Sequence, residues 1–226
     1  MKKTVWLALI LAVALGWAAG DNVAPRTLSV NGEGSIEAEP DLAVVRLGVT
    51  VEDAGAAAAY EKCNAAMQKV IVAVEKLGVA KTDIRTIQLS LAPKMEYPET
   101  GTSKMKGYTM SHLVTVKVRD LNRVSNVIDE ATSAGANKIN GIAFTFNDLD
   151  SLKSEARSRA FDNARDRADD LADDAGVKLG KLTSISETSY DMPDADFGAD
   201  AMSAGVPAMT GSQAVKVSVY VTYEIQ

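Results

Sequence analysis

Between Asp148 and Gly180 the chain carries small and apolar residues at Leu149, Leu152, Ala156, Ala160, Ala164, Ala168, Leu171 and Ala175. Steps of three and four place these residues on one face of a helix. The other faces are almost wholly charged. Asp148 or Ser151 can cap the first turn, and Gly176 can supply the left-handed residue that ends the last. The spacing predicts a helix over about 148–176, roughly 42 Å long at 1.5 Å per residue. An alanine stripe lets the helix backbone approach its partner closely, and the rest of the chain is organised around that contact.

Upstream, Thr27 to Ala38 alternates Leu28, Val30, Gly32, Gly34, Ile36 and Ala38 against polar residues, the period of a strand. The Gly32 and Gly34 pair is expected to mark a bend or bulge. Gly32-Glu33-Gly34 is not a phosphate loop, because no helix follows it. Glu39-Pro40-Asp41 is a turn, and Leu42 to Glu52 returns as a strand with Ala43, Val45, Leu47, Val49 and Val51 on one face. A helix from Asp53 to Leu77 is closed by Gly78, with a stripe of Tyr60, Cys63, Met67, Val70, Val74 and Leu77. A third strand, Ile84 to Tyr97, is expected to turn Ile87, Leu89, Leu91 and Met95 inward. After a polar loop, Gly107 to Arg119 forms a fourth strand with Tyr108, Met110, His112, Val114, Val116 and Val118 aligned. Leu121 to Ala134 is a short helix ended by Gly135, and Ile139 to Phe146 is a fifth strand. The long helix follows, then strands from Lys181 to about Tyr190 and from Val215 to Ile225. Asp191 to Gln213, rich in aspartate, glycine and proline, is expected to be a mobile acidic loop. The order is ββαββαβαββ. Clean alternation implies one covered sheet face, so the expected class is α+β, a mainly antiparallel sheet with helices on one face.

Residues 1–20 read as a secretory signal peptide. Lys2 and Lys3 precede an apolar run from Val5 to Leu15, and Ala18-Ala19-Gly20 is a small-residue exit with cleavage expected before Asp21. The run is short for a membrane span, and no cysteine follows the exit to carry a lipid. This segment holds two lysines and no acid, so its loss takes the net charge from −6 to −8. An acidic chain of residues 21–226 argues against nucleic acid or an anionic membrane as main partner. Its length suits one domain or two small lobes. Cys63 is the sole cysteine, so no internal disulfide can form. Its place on an apolar stripe makes it a small buried hydrophobe rather than a redox thiol.

Several blocks together resemble the SIMPL-domain family, the YggE-like exported proteins of bacteria, over nearly all of the mature chain. They are Val30-Asn31-Gly32-Glu33-Gly34 followed by Pro40-Asp41, then Gly107-Tyr108, and Val118-Arg119-Asp120-Leu121. The most specific run from Ala164-Arg165 through Ala172, then Gly176-Val177-Lys178-Leu179-Gly180 and Ile185-Ser186-Glu187. The resemblance implies an α+β domain in the periplasm or at the envelope, with outer-membrane association or secretion as alternatives. It implies a link to oxidative-stress defence and ring-like homo-oligomers in some members. It implies no agreed activity, so no catalytic residues are carried over and no cofactor is expected.

Candidate chemistry is sparse. His112 is the only histidine, which excludes a histidine triad or histidine-rich metal site within one chain. On an apolar strand face it reads as a hydrogen-bonded structural residue. The long helix is basic first, through Lys153, Arg157, Arg159, Arg165 and Arg167, and acidic last, through Asp169, Asp170, Asp173 and Asp174. Acids at a helix C-terminus oppose its dipole, and like charges four apart repel. The arrangement has three readings: a solvated acidic face, a contact between copies through Arg157, Arg165, Asp170 and Asp174, or a weak divalent-cation site on Asp169, Asp170, Asp173 and Asp174. Asp194-Ala195-Asp196-Phe197-Gly198 is similar to part of a calcium loop but lacks its full ligand series. Met192, Met202 and Met209 are loop filler, or sacrificial reductants if exposed.

The functional expectation is a non-catalytic, self-associating scaffold or binding module of the cell envelope, with an unidentified envelope partner. A carboxylate-based metal- or small-ligand-binding protein or an enzyme is the alternative. A small-ligand or peptide binder using an exposed sheet edge is the third reading.

Overall fold

Strand after strand in this chain alternates apolar and polar residues, and each apolar row needs a layer to cover it. A computed structural model describes residues 25–97, 102–189 and 211–226. The expected order ββαββαβαββ is present as β1 (Thr27–Ala38), β2 (Leu42–Asp53), α1 (Ala56–Lys76), β3 (Ile84–Glu96), β4 (Lys104–Val118), α2 (Val124–Ser133), β5 (Lys138–Thr145), α3 (Leu149–Asp174), β6 (Leu179–Ser189) and β7 (Gln213–Ile225).

The class is α+β and every strand pair is antiparallel. The strands divide between two sheets, where the sequence suggested one: β1-β7-β6 and β3-β4-β2-β5. The division has a simple cause. β2 is flanked by β4 and β5, so it offers no free edge to its neighbour in sequence. β1 pairs instead with the C-terminal strand, in unbroken register from Thr27↔Glu224 to Ala38↔Gln213.

The four-stranded sheet with α1 and α2 has the β-α-β-β-α-β connectivity of ferredoxin-like units. Alternate residues of β2 (Ala43, Val45, Leu47, Val49) meet Cys63, Met67, Val70 and Val74 of α1 and Val127 of α2 in one core. Helix α1 begins at Ala56, three residues later than expected. Asp53 instead closes β2, and its carboxylate accepts from the Gly55 N–H at 3.0 Å. Tyr60, expected on the buried stripe, is 46% exposed. Gly135 (φ +119°) ends α2 and Gly176 (φ +67°) ends α3. In each, the next residue's N–H returns to a carbonyl of the last turn, Ala136 to Ala131 and Val177 to Ala172, as a left-handed C-terminal turn requires.

The three-stranded sheet carries α3. Its core is thin: Ala156, Ala160, Ala164 and Ala168 lie on Val30, Ile36, Val217, Val219 and Val221. Asp148, rather than Ser151, caps the helix, accepting from the Ser151 N–H at 3.0 Å. The bend or bulge expected at Gly32 and Gly34 is absent, since the register with β7 passes through both without a shift. These glycines serve the helix contact. A Cβ on Gly32 would lie 2.2 Å from the Ala160 carbonyl oxygen, and one on Gly34 2.0 Å from that of Ala156. The buried stripe continues to Ala172, while Leu171 is 47% exposed and Ala175 is exposed. The five buried alanines keep strict intervals of four, a row inclined to the helix axis, and Leu171 lies off that row.

The two crossings between the sheets lie side by side. Asp41, after β1, accepts from the Asn147 N–H at 2.6 Å, and its own N–H donates to the Thr145 carbonyl at 3.2 Å. Arg119 donates to the Asn147 side chain and holds Asp83 through Nε and Nη2. Among the described residues no helix is long and apolar enough to cross a membrane.

Candidate functional site

The outer edges of the sheets decide what this molecule can touch, because an edge strand presents unpaired backbone groups to any extended partner. Strand β1 is an edge, and α3 covers it. Arg167 Nη1 donates to the Asn31 carbonyl at 2.7 Å. Asn163 Oδ1 accepts from the Glu33 N–H at 3.1 Å. Arg159 Nη1 donates to the Ser35 carbonyl at 3.0 Å. Three side chains four residues apart on the helix thus meet alternate residues of the strand. Part of the basic half of α3 is therefore edge protection, a role that the charge pattern alone did not reveal. The signal was available in principle: Arg159, Asn163 and Arg167 share the period of the buried alanines.

Arg157 faces the opposite edge. Its Nε and Nη2 hold both oxygens of Glu187 on β6, at 2.6 and 3.0 Å. This paired hydrogen bond raises the Arg157 pKa and lowers that of Glu187. Arg165, Asp169, Asp170, Asp173 and Asp174 are exposed. At 100° per residue Asp169 and Asp173 form one ridge and Asp170 and Asp174 the next. Among the described residues, no group of three or more His, Cys, Asp or Glu side chains gathers to hold a metal ion.

Cys63 and His112 are neighbours across α1 and β4. The Cys63 thiol is wholly buried and lies 3.5 Å from the Val49 carbonyl. Burial pushes its pKa up, against an opposing effect of the His112 backbone. His112 Nε2 is 3.1 Å from Thr86 Oγ1, and burial lowers its pKa. The thiol meets the His112 backbone and the Val49 carbonyl while the imidazole bonds Thr86, which is not the arrangement of a nucleophile–base pair. Residues 1–20, Asp194 to Gly198, and Met192, Met202 and Met209 lie outside the described residues.

Strand β3 is an edge of the other sheet and, like the edge strand β6 with Leu182 at 44% and Ile185 at 53% exposure, it leaves apolar side chains uncovered. Ile87, Leu89, Leu91 and Met95, expected to face inward, are 44%, 52%, 43% and 37% exposed. Leu89 and Leu91 stand opposite His112 and Met110, so they do point to the helix-bearing face. Helix α1, however, packs its buried residues on β2 and β4 and stops short of the edge. Ile87 falls at a register shift between Thr86 and Gln88. Tyr97 and Met105 extend this exposed apolar surface toward the end of the hairpin. Farther along, Lys94 pairs with Glu52 and Lys106 with Glu96 at 2.5 Å.

The chain has relatives over most of its length. A family model described as SIMPL, protein of unknown function (DUF541), matches residues 28–223. A 26 kDa periplasmic immunogenic protein of Brucella melitensis is 34% identical over 214 residues, covering 89% of this chain and 86% of that one. A protein named YggE of Escherichia coli is 31% identical over 185 residues, covering 81% and 74%. A YggE of Edwardsiella ictaluri is 28% identical over 190 residues, covering 82% and 79%.

Proposed function

This chain belongs to the SIMPL (DUF541) family, and from that membership we propose that it is an exported, non-catalytic envelope protein that works as a self-associating scaffold or binding module linked to oxidative-stress defence. The name of the Brucella relative, a periplasmic immunogenic protein, supports a periplasmic address. The observation that carries self-association is the contrast between edges. Side chains of α3 cap β1, whereas β3 leaves Leu89 and Leu91 exposed on the helix-bearing face. Addition of a strand there satisfies backbone groups and buries that row in one step. Arg165, Asp170 and Asp174 on α3 provide a second, charged surface for contact between copies. Arg157 is already engaged within its own chain by Glu187.

Light scattering on the purified protein tests this. The parent is expected at a multiple of the chain mass, and a Leu89→Lys/Leu91→Lys variant, altered only at exposed positions, at a lower mass with unchanged circular dichroism. A strictly monomeric parent, or a variant that assembles as the parent does, rejects the reading.

A further inference from the structure

The β3–β4 hairpin carries a pair of thioethers near its end. Met95 pairs with Met105 just past a register shift between Lys94 and Met95, so the two are cross-strand neighbours. Met95 is 37% exposed and Met105 57%, whereas Met67 and Met110 in the same lobe are 1% exposed each. Residues two apart along a strand share a face, so Met95 continues the row of Leu89 and Leu91. Tyr97, 79% exposed, follows immediately. Met95 and Met105 therefore lie in the exposed apolar surface of the hairpin, whereas Met67 and Met110 belong to the core.

We propose that Met95 and Met105 are a site of oxidation by hydrogen peroxide, and that their conversion to sulfoxide releases the β3 edge from a second copy of this chain. The second half rests on the self-association proposed above. In each step a sulfur lone pair attacks one peroxide oxygen. The S–O bond forms as the O–O bond breaks, sulfur gives up two electrons, and the leaving hydroxide takes the remaining proton as water. The product replaces an apolar thioether with a polar, chiral S=O group. Burying that group in a strand-to-strand contact without a hydrogen-bond partner is unfavourable, so the oxidised edge is better left in water.

The experiment treats the purified protein with hydrogen peroxide, follows every methionine by peptide mass, and measures the assembly mass by light scattering before and after. The expected result is sulfoxide at Met95 and Met105 at least about tenfold faster than at Met67 and Met110 in the native protein, a difference set by access and abolished in urea. Equal native rates at the four positions overturn the site. The parent is expected to lose mass toward the monomer on oxidation, while Met95→Leu/Met105→Leu assembles and then keeps its mass in peroxide. An oligomer that survives complete conversion at both residues overturns the release step but leaves self-association standing. A parent already monomeric before peroxide overturns release and self-association together, with the order of oxidation judged separately by the mass spectra.

Discussion

Gly34→Ala inserts one methyl group at the closest approach of α3 to β1. Its Cβ would lie 2.0 Å from the Ala156 carbonyl oxygen, 2.6 Å from the Ala160 nitrogen and 3.0 Å from the Arg159 Cβ, where ordinary contact begins at 3.4 Å. The two nearest atoms are helix backbone, so no flexible side chain can yield. The helix must retreat by roughly 1 Å, and a gap of that order forfeits a quarter to a half of each dispersion contact along the alanine face. Overpacking of this kind costs about 1–3 kcal/mol, with this site at the upper end. Against it stands the gain of about 0.5–1 kcal/mol that alanine usually brings over glycine in a strand. The net is a loss of about 2 kcal/mol, or a fall of about 1 M in the urea midpoint for a slope near 2 kcal/mol per molar. Urea unfolding followed by helical circular dichroism measures it, with Ser35→Ala, at an exposed neighbouring side chain, expected within about 0.5 kcal/mol of the parent. A Gly34→Ala protein as stable as the parent would show that the glycine does not serve the helix contact.

Two further outcomes follow from the placement of Glu187 and Cys63. Arg157 holds the Glu187 pKa below its usual value, so the folded state binds that proton less readily than the unfolded chain. The stabilisation is therefore fully present above the ordinary glutamate range and lost as pH falls through the lower folded value. Glu187→Gln should be less stable than the parent near neutral pH, with the difference shrinking in acid; a difference independent of pH refutes the assignment. The Cys63 thiol, buried and with a raised pKa, should ignore a thiol reagent in the native protein and react once urea is added. Labelling at the rate of a free thiol without urea would contradict its burial.

Much of the architecture was legible because periodicity is a local property. The alternation in β1 and β2 identified their buried rows, the alanine spacing identified α3, and Gly78, Gly135 and Gly176 marked where helices end. The family resemblance rested on the order of short blocks along the chain and agrees with the match over residues 28–223. The candidate site was less legible. His112 and Cys63 could be read as structural residues from the strand and helix faces they occupy, and the ring's bond to Thr86 agrees with that for His112. The exposed row on β3 could not be read, because Leu89 and Leu91 alternate as residues of a covered strand do.

What the chain determines by itself is which residues share a face; what covers that face depends on partners far away in sequence. Gly32 and Gly34 looked like a local break in a strand because the helix that presses on them lies more than 120 residues downstream. Arg159 and Arg167 read only as members of the basic half of the helix because the edge of β1 that they and Asn163 cap is equally remote. β3 read as a strand with a covered face because its position at the end of the sheet is set by the pairing of β4 with β2. Only the tertiary structure assigns these partners. Backbone pairing and close packing join segments by proximity in space, and the side-chain period of a strand is the same at the centre of a sheet as at its edge.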